Sequence, residues 1–380
     1  MKSDCFSNME QDINERGRFE TSSNLLPEIS NGKLENPEHQ CWEWLFGTFY
    51  NKQPDFDDET LASLLSGCMG LIDVAESVGS ADHVRKIVDL ALLQQDESLW
   101  FSISMNPGAW AELACRTHSQ AIFKESICHL VGKWLMISEE EKVDLGDDVR
   151  TLCDLKFDEL NIAKEAIEMR ILGHYPSFLY RDAADKPGRP QYANDIYMWM
   201  ALDFFRQWFA QNISNGNNRK CQDGGHGFYK VISLGGPAYL NHEDFRNFHQ
   251  YFPMSSKACA VLERDMGVLK EDVKPFVQDL MKSQVHLDVS QNPQVKWLTC
   301  TVVIKEDCPW VRKERAEREE AAVYQQNRDD EMFYEEEDAS LPMWNRERTA
   351  SQADKDEGDL CRAELNGADA GTPGVSNADE

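Results

Sequence analysis

Between Asp195 and Ala210 the chain reads DIYMWMALDFFRQWFA, and from Ile196 to Phe209 it carries large apolar side chains on every face of a helix. Trp199, Met200, Leu202, Phe204, Phe205 and Trp208 cannot all be buried against one neighbour. The segment therefore demands a core built from several surrounding helices. Asp203 and Arg206 interrupt it, and it falls short of the ~18 apolar residues of a membrane span, so it reads as a central core helix.

The rest of the chain supplies candidates for those neighbours. Trp42, Leu45, Phe46 and Phe49 form a helical stripe that ends near Asn51. Leu61, Leu64, Leu65, Cys68, Leu71, Ile72 and Ala75 recur at steps of three and four, with Asp57 or Asp58 placed to cap the helix and Gly79 to end it. Val84, Ile87, Val88 and Ala91 mark the next helix. Pro107 fits a first helical position, where a missing N–H costs nothing. Ser119 caps a stripe of Phe123, Ile127, Leu130, Val131 and Trp134, and Leu160, Ala163, Ile167 and Ile171 stripe a helix that Gly173 closes. Asn241 caps the stripe Phe245, Phe248, Phe252, with Glu243 and Asp244 in the first turn and Pro253 as a stop. The expected architecture is mainly α, with at most a small sheet.

Two segments read as strands. Leu25–Ile29 is short and confined to an edge or a strand end by Pro27. Trp297–Ile304 is rich in Thr, Val and Ile, and its backbone groups need partners, for which Phe228–Ser233 is the expected ladder mate. After Trp310 the apolar positions run out. Arg312–Gln326 mixes Glu and Arg as a solvated helix would. Residues 329–380 hold 16 acidic and 4 basic side chains, a composition expected to be disordered.

The chain has 39 Lys and Arg against 67 Asp and Glu, a net charge of −28. Such a surface repels phosphate backbones and anionic lipid, so neither nucleic acid nor membrane is expected as a partner; the acidity also serves solubility. Eleven cysteines are scattered without a CxxC pair, and the opening MKSDCFSNMEQDINERG lacks an apolar secretory stretch. Both point to reduced thiols and a cytoplasmic or nuclear setting.

No catalytic constellation emerges. DGGHGFY (Asp223–Tyr229) lacks the GxxxxGK[ST] pattern of a phosphate loop and reads as a turn. His226, His242 and His249 lie near one another with Glu243 and Asp244 between, yet no pair has HExxH spacing, and His242 and His249 lack an identifiable third ligand. There is no GxSxG elbow. The expectation is a non-enzyme without metal or cofactor. An enzyme centred on His226–His249 is an alternative.

Two stretches resemble a known family. Residues 19–100 resemble the later half of a BTB (POZ) domain, through FGTFYNKQPDF (Phe46–Phe56) and TLASLLSGCMGLIDVAESVGSADHVRKIVDLAL (Thr60–Leu92). Residues 101–310 resemble the helical region that follows this domain in fungal BTB proteins. The matching segments are Ala109–Trp134, Ile171–Ala210 and Ala238–Glu263. The resemblance implies a partial BTB module over residues 1–100, a helical domain over 101–310, and a charged helix with an acidic tail over 311–380. It further implies a protein-interaction adaptor or scaffold, linked to cullin-type ubiquitin ligase assembly, with a nuclear transcription-associated regulator as the alternative. The opening strands and helix that supply most of the BTB dimer interface have no counterpart, so the resemblance leaves homodimerisation open. The cullin-facing position corresponds to Phe49, Tyr50, Asp55 and Phe56, with Pro54 keeping this loop out of either flanking helix.

Overall fold

A computed structural model describes residues 29–30, 33–34, 36–179, 196–214 and 221–340. They fall into two units, one ending at Arg312 and one beginning at Lys313. The fold is mainly α. The one ladder among the described residues is a two-residue antiparallel pair, β1 (Ile29–Ser30) with β2 (Lys33–Leu34). Of the expected Leu25–Ile29 strand, only Ile29 is among the described residues.

Helix α1 (Pro37–Phe49) is started by Asn36, whose side chain accepts from the Glu38 N–H at 3.0 Å, with Pro37 in the first turn. Its buried face is Cys41, Leu45 and Thr48, whereas Phe46 and Phe49 are exposed. The aromatic stripe read from the sequence is thus split between core and solvent. Helix α2 (Leu61–Ser77) buries Leu64, Leu65, Cys68, Leu71, Ile72 and Ala75 as the periodicity requires. Its cap is Thr60, whose Oγ1 accepts from the Ser63 N–H at 3.1 Å, and not Asp57 or Asp58. The chain enters two to three residues later than the acidic pair suggests, and Asp57 is engaged in its own turn with the Glu59 N–H. Thr60→Ala should cost about 1 kcal/mol in urea denaturation, while Asp58→Ala should change stability by less than about 0.5 kcal/mol. The reverse order would restore the acidic cap.

Helices α3 (Ala81–Leu93), α4 (Glu97–Met105), α5 (Pro107–Thr117) and α6 (Gln120–Lys133) follow through short connections. Pro107 and Ser119 sit at the starts assigned to them, and Ser119 Oγ accepts from the Ile122 N–H at 3.4 Å. Short α7 (Glu139–Asp144) leads to α8 (Asp147–Gly173), which extends well before its predicted stripe. Helices α1 and α2 pack together, α2 on α3, α3 on α5 and α5 on α6. Helix α8 packs on α6 and on the 3-10 turn Lys274–Val277.

The second half holds α9 (Ile196–Ser214), α10 (His226–Leu234), α11 (His242–Tyr251), α12 (Ser256–Val273) and one-turn α13 (Gln278–Met281). Helix α9 packs on α12, and Met198, Ala201, Leu202, Phe205 and Phe209 are buried. It is not apolar all round. Asp203, Gln207, Ala210, Gln211 and Ser214 form a solvent-facing stripe, and Trp199 and Trp208 are only partly buried. The charged residues in the run mark that wet face. Two buried polar links tie α8 to α10. Lys164 Nζ donates to the Gly224 carbonyl at 3.2 Å, and the Tyr229 hydroxyl donates to Glu168 Oε1 at 2.7 Å.

Both strand assignments in this half are corrected. Phe228–Ser233 is helix α10, and residues 297–304 pair with no strand among the described residues. The latter segment is nevertheless extended, with Thr299, Thr301 and Val303 turned in and Val302 and Ile304 turned out. It is the end of a strap, residues 282–304, that lies on helices instead of in a sheet. Glu125, buried on α6, accepts the His286 and Leu287 N–H groups at 2.7 and 3.1 Å. Trp297 Nε1 donates to His129 Nδ1 at 3.1 Å, and Lys133 Nζ lies 4.3 Å from the Trp297 ring centroid. Helix side chains do the pairing that a second strand would have done.

One apolar cluster runs from Cys41 to Cys308. Trp310 still belongs to the packed body, stacked on His118 at 5.1 Å and edge-on to Phe123 at 5.3 Å. Helix α14 (Pro309–Ser340) begins there. From Lys313 to Gln326 its residues are exposed, with Arg315–Glu319 at 2.8 Å among its ion pairs, which is the solvated helix the charge pattern suggested. It continues to Ser340, past residue 329 where the acidic composition suggested that helix would stop. The rest of the acidic tail, 341–380, lies outside the described residues.

Candidate protein-interaction surface

Helix α1 buries its Cys41–Leu45–Thr48 face against α2, and that choice forces the next face outward. Trp42 stacks on Phe46 at 5.9 Å, Phe46 meets Phe49 at 6.4 Å, and Phe49 lies edge-on to His83 of α3 at 5.3 Å. Tyr50, the residue that ends α1, is 80 % exposed. The result is a continuous run of rings along α1 and onto α3, with Phe46, Phe49 and Tyr50 open to solvent. Exposed aromatics in contact with one another are the residue type that anchors protein interfaces.

The loop after α1 completes this surface. Asn51 takes a positive φ of 57°, which reverses the chain and directs Lys52 N–H back to the Gly47 carbonyl at 3.0 Å. Of the four residues singled out from the sequence, Phe49, Tyr50 and Asp55 lie at the surface. Phe56 instead turns inward, edge-on to Trp44 at 5.1 Å. Gly67 of α2 makes room for it, since a Cβ there would stand 3.3 Å from Phe56 Cδ1 and 3.5 Å from the Trp44 ring. Trp42 and Phe46 join the surface although the sequence reading placed them in the core stripe. The signal that could have separated them is Cys41, which extends the Leu45–Thr48 face and makes it the narrower, smaller side fit to pack on α2.

A second exposed aromatic group lies at the end of α11. Its start is fixed by a capping box, in which Asn241 Oδ1 accepts from the Glu243 and Asp244 N–H groups while Asp244 accepts the Asn241 N–H at 2.8 Å. Phe204 of α9 meets Phe245 at 5.4 Å and Phe248 at 4.6 Å, and Phe248 continues to Phe252 at 5.6 Å. Phe245 is buried, whereas Phe252 is exposed and Tyr251 is 88 % exposed just before Pro253. The ring column thus leads from the core to an open corner between α11 and α12.

The three histidines considered as a reactive group have separate surroundings. His226 begins α10, its imidazole pulled below the usual range by burial and by Lys230. His242 Nδ1 lies 2.8 Å from Glu263 Oε1, and His249 packs against Phe248. Among the described residues no three His, Cys, Asp or Glu side chains are placed to hold a metal ion. DGGHGFY is a turn into α10, organised by Asp223, which accepts the Gly225 and Gly227 N–H groups at 2.9 and 2.8 Å. No helix among the described residues is long and apolar enough to cross a membrane.

Residues 176–279 match the FF domain family in its fungal form. The match covers little more than a quarter of the chain and takes in α9 to α12. No curated protein and no solved structure matches. This overturns the BTB resemblance. The segments Ile171–Ala210 and Ala238–Glu263, its most specific part, fall almost wholly within the FF-like stretch. The hairpin segment Thr60–Leu92 carries a Leu, Val and Ala periodicity that any antiparallel helix pair needs, and so identifies a hairpin without identifying a family. The cullin link and BTB-type dimerisation rested on that resemblance and go with it. FF domains mediate protein–protein interactions.

Proposed function

We propose that this chain is a non-enzymatic adaptor or scaffold that holds protein partners on exposed aromatic surfaces. The observation that carries the reading is the contiguous run Trp42–Phe46–Phe49–His83 with Tyr50 beside it. An isolated exposed ring needs no explanation, but a contiguous row left open to water does. The similarity of residues 176–279 to a protein-interaction domain supports the same reading, with the Tyr251–Phe252 corner as its contact point. Two such surfaces on one chain fit a protein that joins partners. The separate surroundings of His226, His242 and His249 support a non-catalytic role. The nine cysteines among the described residues are free and buried or half-buried, which suits a reducing compartment, cytoplasm or nucleus.

The test uses Tyr50→Ala combined with Asp55→Lys. Both residues are exposed and neither supports the core, so the far-UV spectrum and melting temperature should be unchanged. Aromatic anchors contribute about 2 kcal/mol or more when desolvated, so recovery of partners should fall at least roughly 30-fold. Unchanged recovery by the folded double variant would remove this surface from the function. Phe252→Ala, assayed in parallel, reports on the second surface.

A further inference from the structure

We propose that α8 is a homodimer seam, on which a second copy of this chain docks its own α8 in parallel. The helix has 27 residues, and its inner face buries Leu152, Cys153, Leu160 and Ile171. Its outer face is not the charged surface expected of a solvated helix. Leu155, Ile162 and Met169 stand on it, 54, 69 and 65 % exposed. They are spaced by seven residues, and Glu159, Ala166 and Gly173 fall four residues after each of them. The resulting 4-3-4-3-4 spacing from 155 to 173 is the two-position repeat of a coiled coil, facing outward.

The occupant follows from the shape and charge of that seam. Ala166 is small, and a Cβ built on Gly173 would meet nothing, so a second backbone can approach closely at these levels. One flank of the seam carries Asp158 and Glu165, and the other carries Arg170 together with Lys156, whose Nζ is held by Glu159 and Asp307 at 3.2 and 3.3 Å. Arg170 is held on its flank by stacking at 4.0 Å over the Phe276 ring. In a parallel two-fold pair, a residue on the first flank faces the residue five positions further along on the opposite flank of the other helix. Glu165 then faces Arg170 of the second copy, and the symmetry makes this contact twice. In an antiparallel pair the acidic flanks would face each other, as would the basic ones. The Glu165–Arg170 pair therefore favours the parallel direction. Glu159, the one charged seam position, lies 3.2 Å from Lys156 of its own helix, which offsets the approach of two carboxylates.

A seam of this length is smaller than a standard stable interface, so self-association should be read between about 1 and 100 µM. Sedimentation velocity of the full chain at low salt should show a monomer–dimer equilibrium across that range. Ile162→Glu should leave a monomer with an unchanged far-UV spectrum; if that variant melts early, Met169→Glu, at another exposed seam position, replaces it. Glu165→Arg and Arg170→Glu should each weaken the dimer about tenfold, and the double swap should restore it to within about threefold. A wild-type monomer at all concentrations overturns the proposal. So does a dimer indifferent to the seam variants, or a double swap as weak as the singles.

Discussion

Gly132→Ala should lower the stability of this protein by about 3 kcal/mol, although it replaces a glycine inside a helix with the best helix former. Gly132 lies on α6 where the strap crosses. A Cβ at this position would stand 2.3 Å from the Leu298 carbonyl oxygen and 2.4 Å from Trp297 Cδ1. The first obstacle is backbone and cannot rotate away. The second is a ring fixed through its Nε1 to His129 and covered by Lys133. The strap cannot lift at this point without straining the Glu125 carboxylate from the His286 and Leu287 N–H groups it accepts. Losing those bonds would leave the buried Leu287 N–H and the buried Glu125 carboxylate unpaired, each costing about 1–3 kcal/mol. Thermal melting should therefore fall by at least roughly 5 °C.

Gly267→Ala supplies the opposite sign. Gly267 lies within α12, has no positive φ, and a Cβ there would meet nothing within 4 Å. Helix propensity acts alone, and the variant should gain up to about 1 kcal/mol. If both substitutions stabilise, the strap does not lie on α6 as described.

This contrast also shows what the sequence could and could not disclose. Local rules were legible at most helix starts, though not at α2, where Thr60 and not the acidic pair is the cap. Ser119, Asn241 and Pro107 start the helices assigned to them, because capping depends on residues within one turn. The Thr, Val and Ile content of Trp297–Ile304 disclosed an extended backbone. It could not disclose what that backbone lies on. Glu125, His129 and Gly132 are the strap's partners, more than 150 residues away from it, and each looks ordinary within its own helix. The same limit divided the α1 aromatics. Phe46 and Phe49 share a periodicity with Leu45, and only the choice of Cys41–Leu45–Thr48 as the face packed on α2 sends them to solvent. It also explains the family assignment. Helical stripes repeat across unrelated α folds, so the correct architecture accompanied an incorrect resemblance. The α8 seam was hidden for a related reason, since Leu160, Ala163, Ile167 and Ile171 form as good a stripe as Leu155, Ile162 and Met169 until one of them is packed.

Phe205→Ala should cost about 3–5 kcal/mol, toward the upper end of that range for a buried aromatic. Phe205 is fully buried in α9, with the rings of Trp208, Phe209 and Tyr239 centred 6.0, 6.1 and 6.2 Å away. How much a large-to-small change costs depends on how far the surroundings can collapse into the space. Here they are held. Tyr239 stacks on Trp208 at 4.3 Å, and Phe209 packs on Phe228 at 5.3 Å. Lys270 Nζ pins the turn that carries Tyr239 by donating to the Gly236, Tyr239 and Leu240 carbonyls at 2.7, 2.5 and 3.0 Å. Three carbonyls converging on one ammonium leave that turn little freedom to move into a cavity. Trp208→Ala should cost less, about 2 kcal/mol, because Trp208 is already partly open to solvent. Asp203→Ala, on the wet stripe of the same helix, should cost less than about 0.5 kcal/mol. Urea denaturation of the three variants should give the order Phe205, Trp208, Asp203 with an unchanged slope. Because Phe204 of the same helix backs the Phe248–Phe252 column, Phe205→Ala should also weaken any partner that reads the Tyr251–Phe252 corner, while leaving binding at Tyr50 intact. Equal costs at 203 and 205 would mean that α9 is turned about its axis from the orientation described, with its aromatic face exposed.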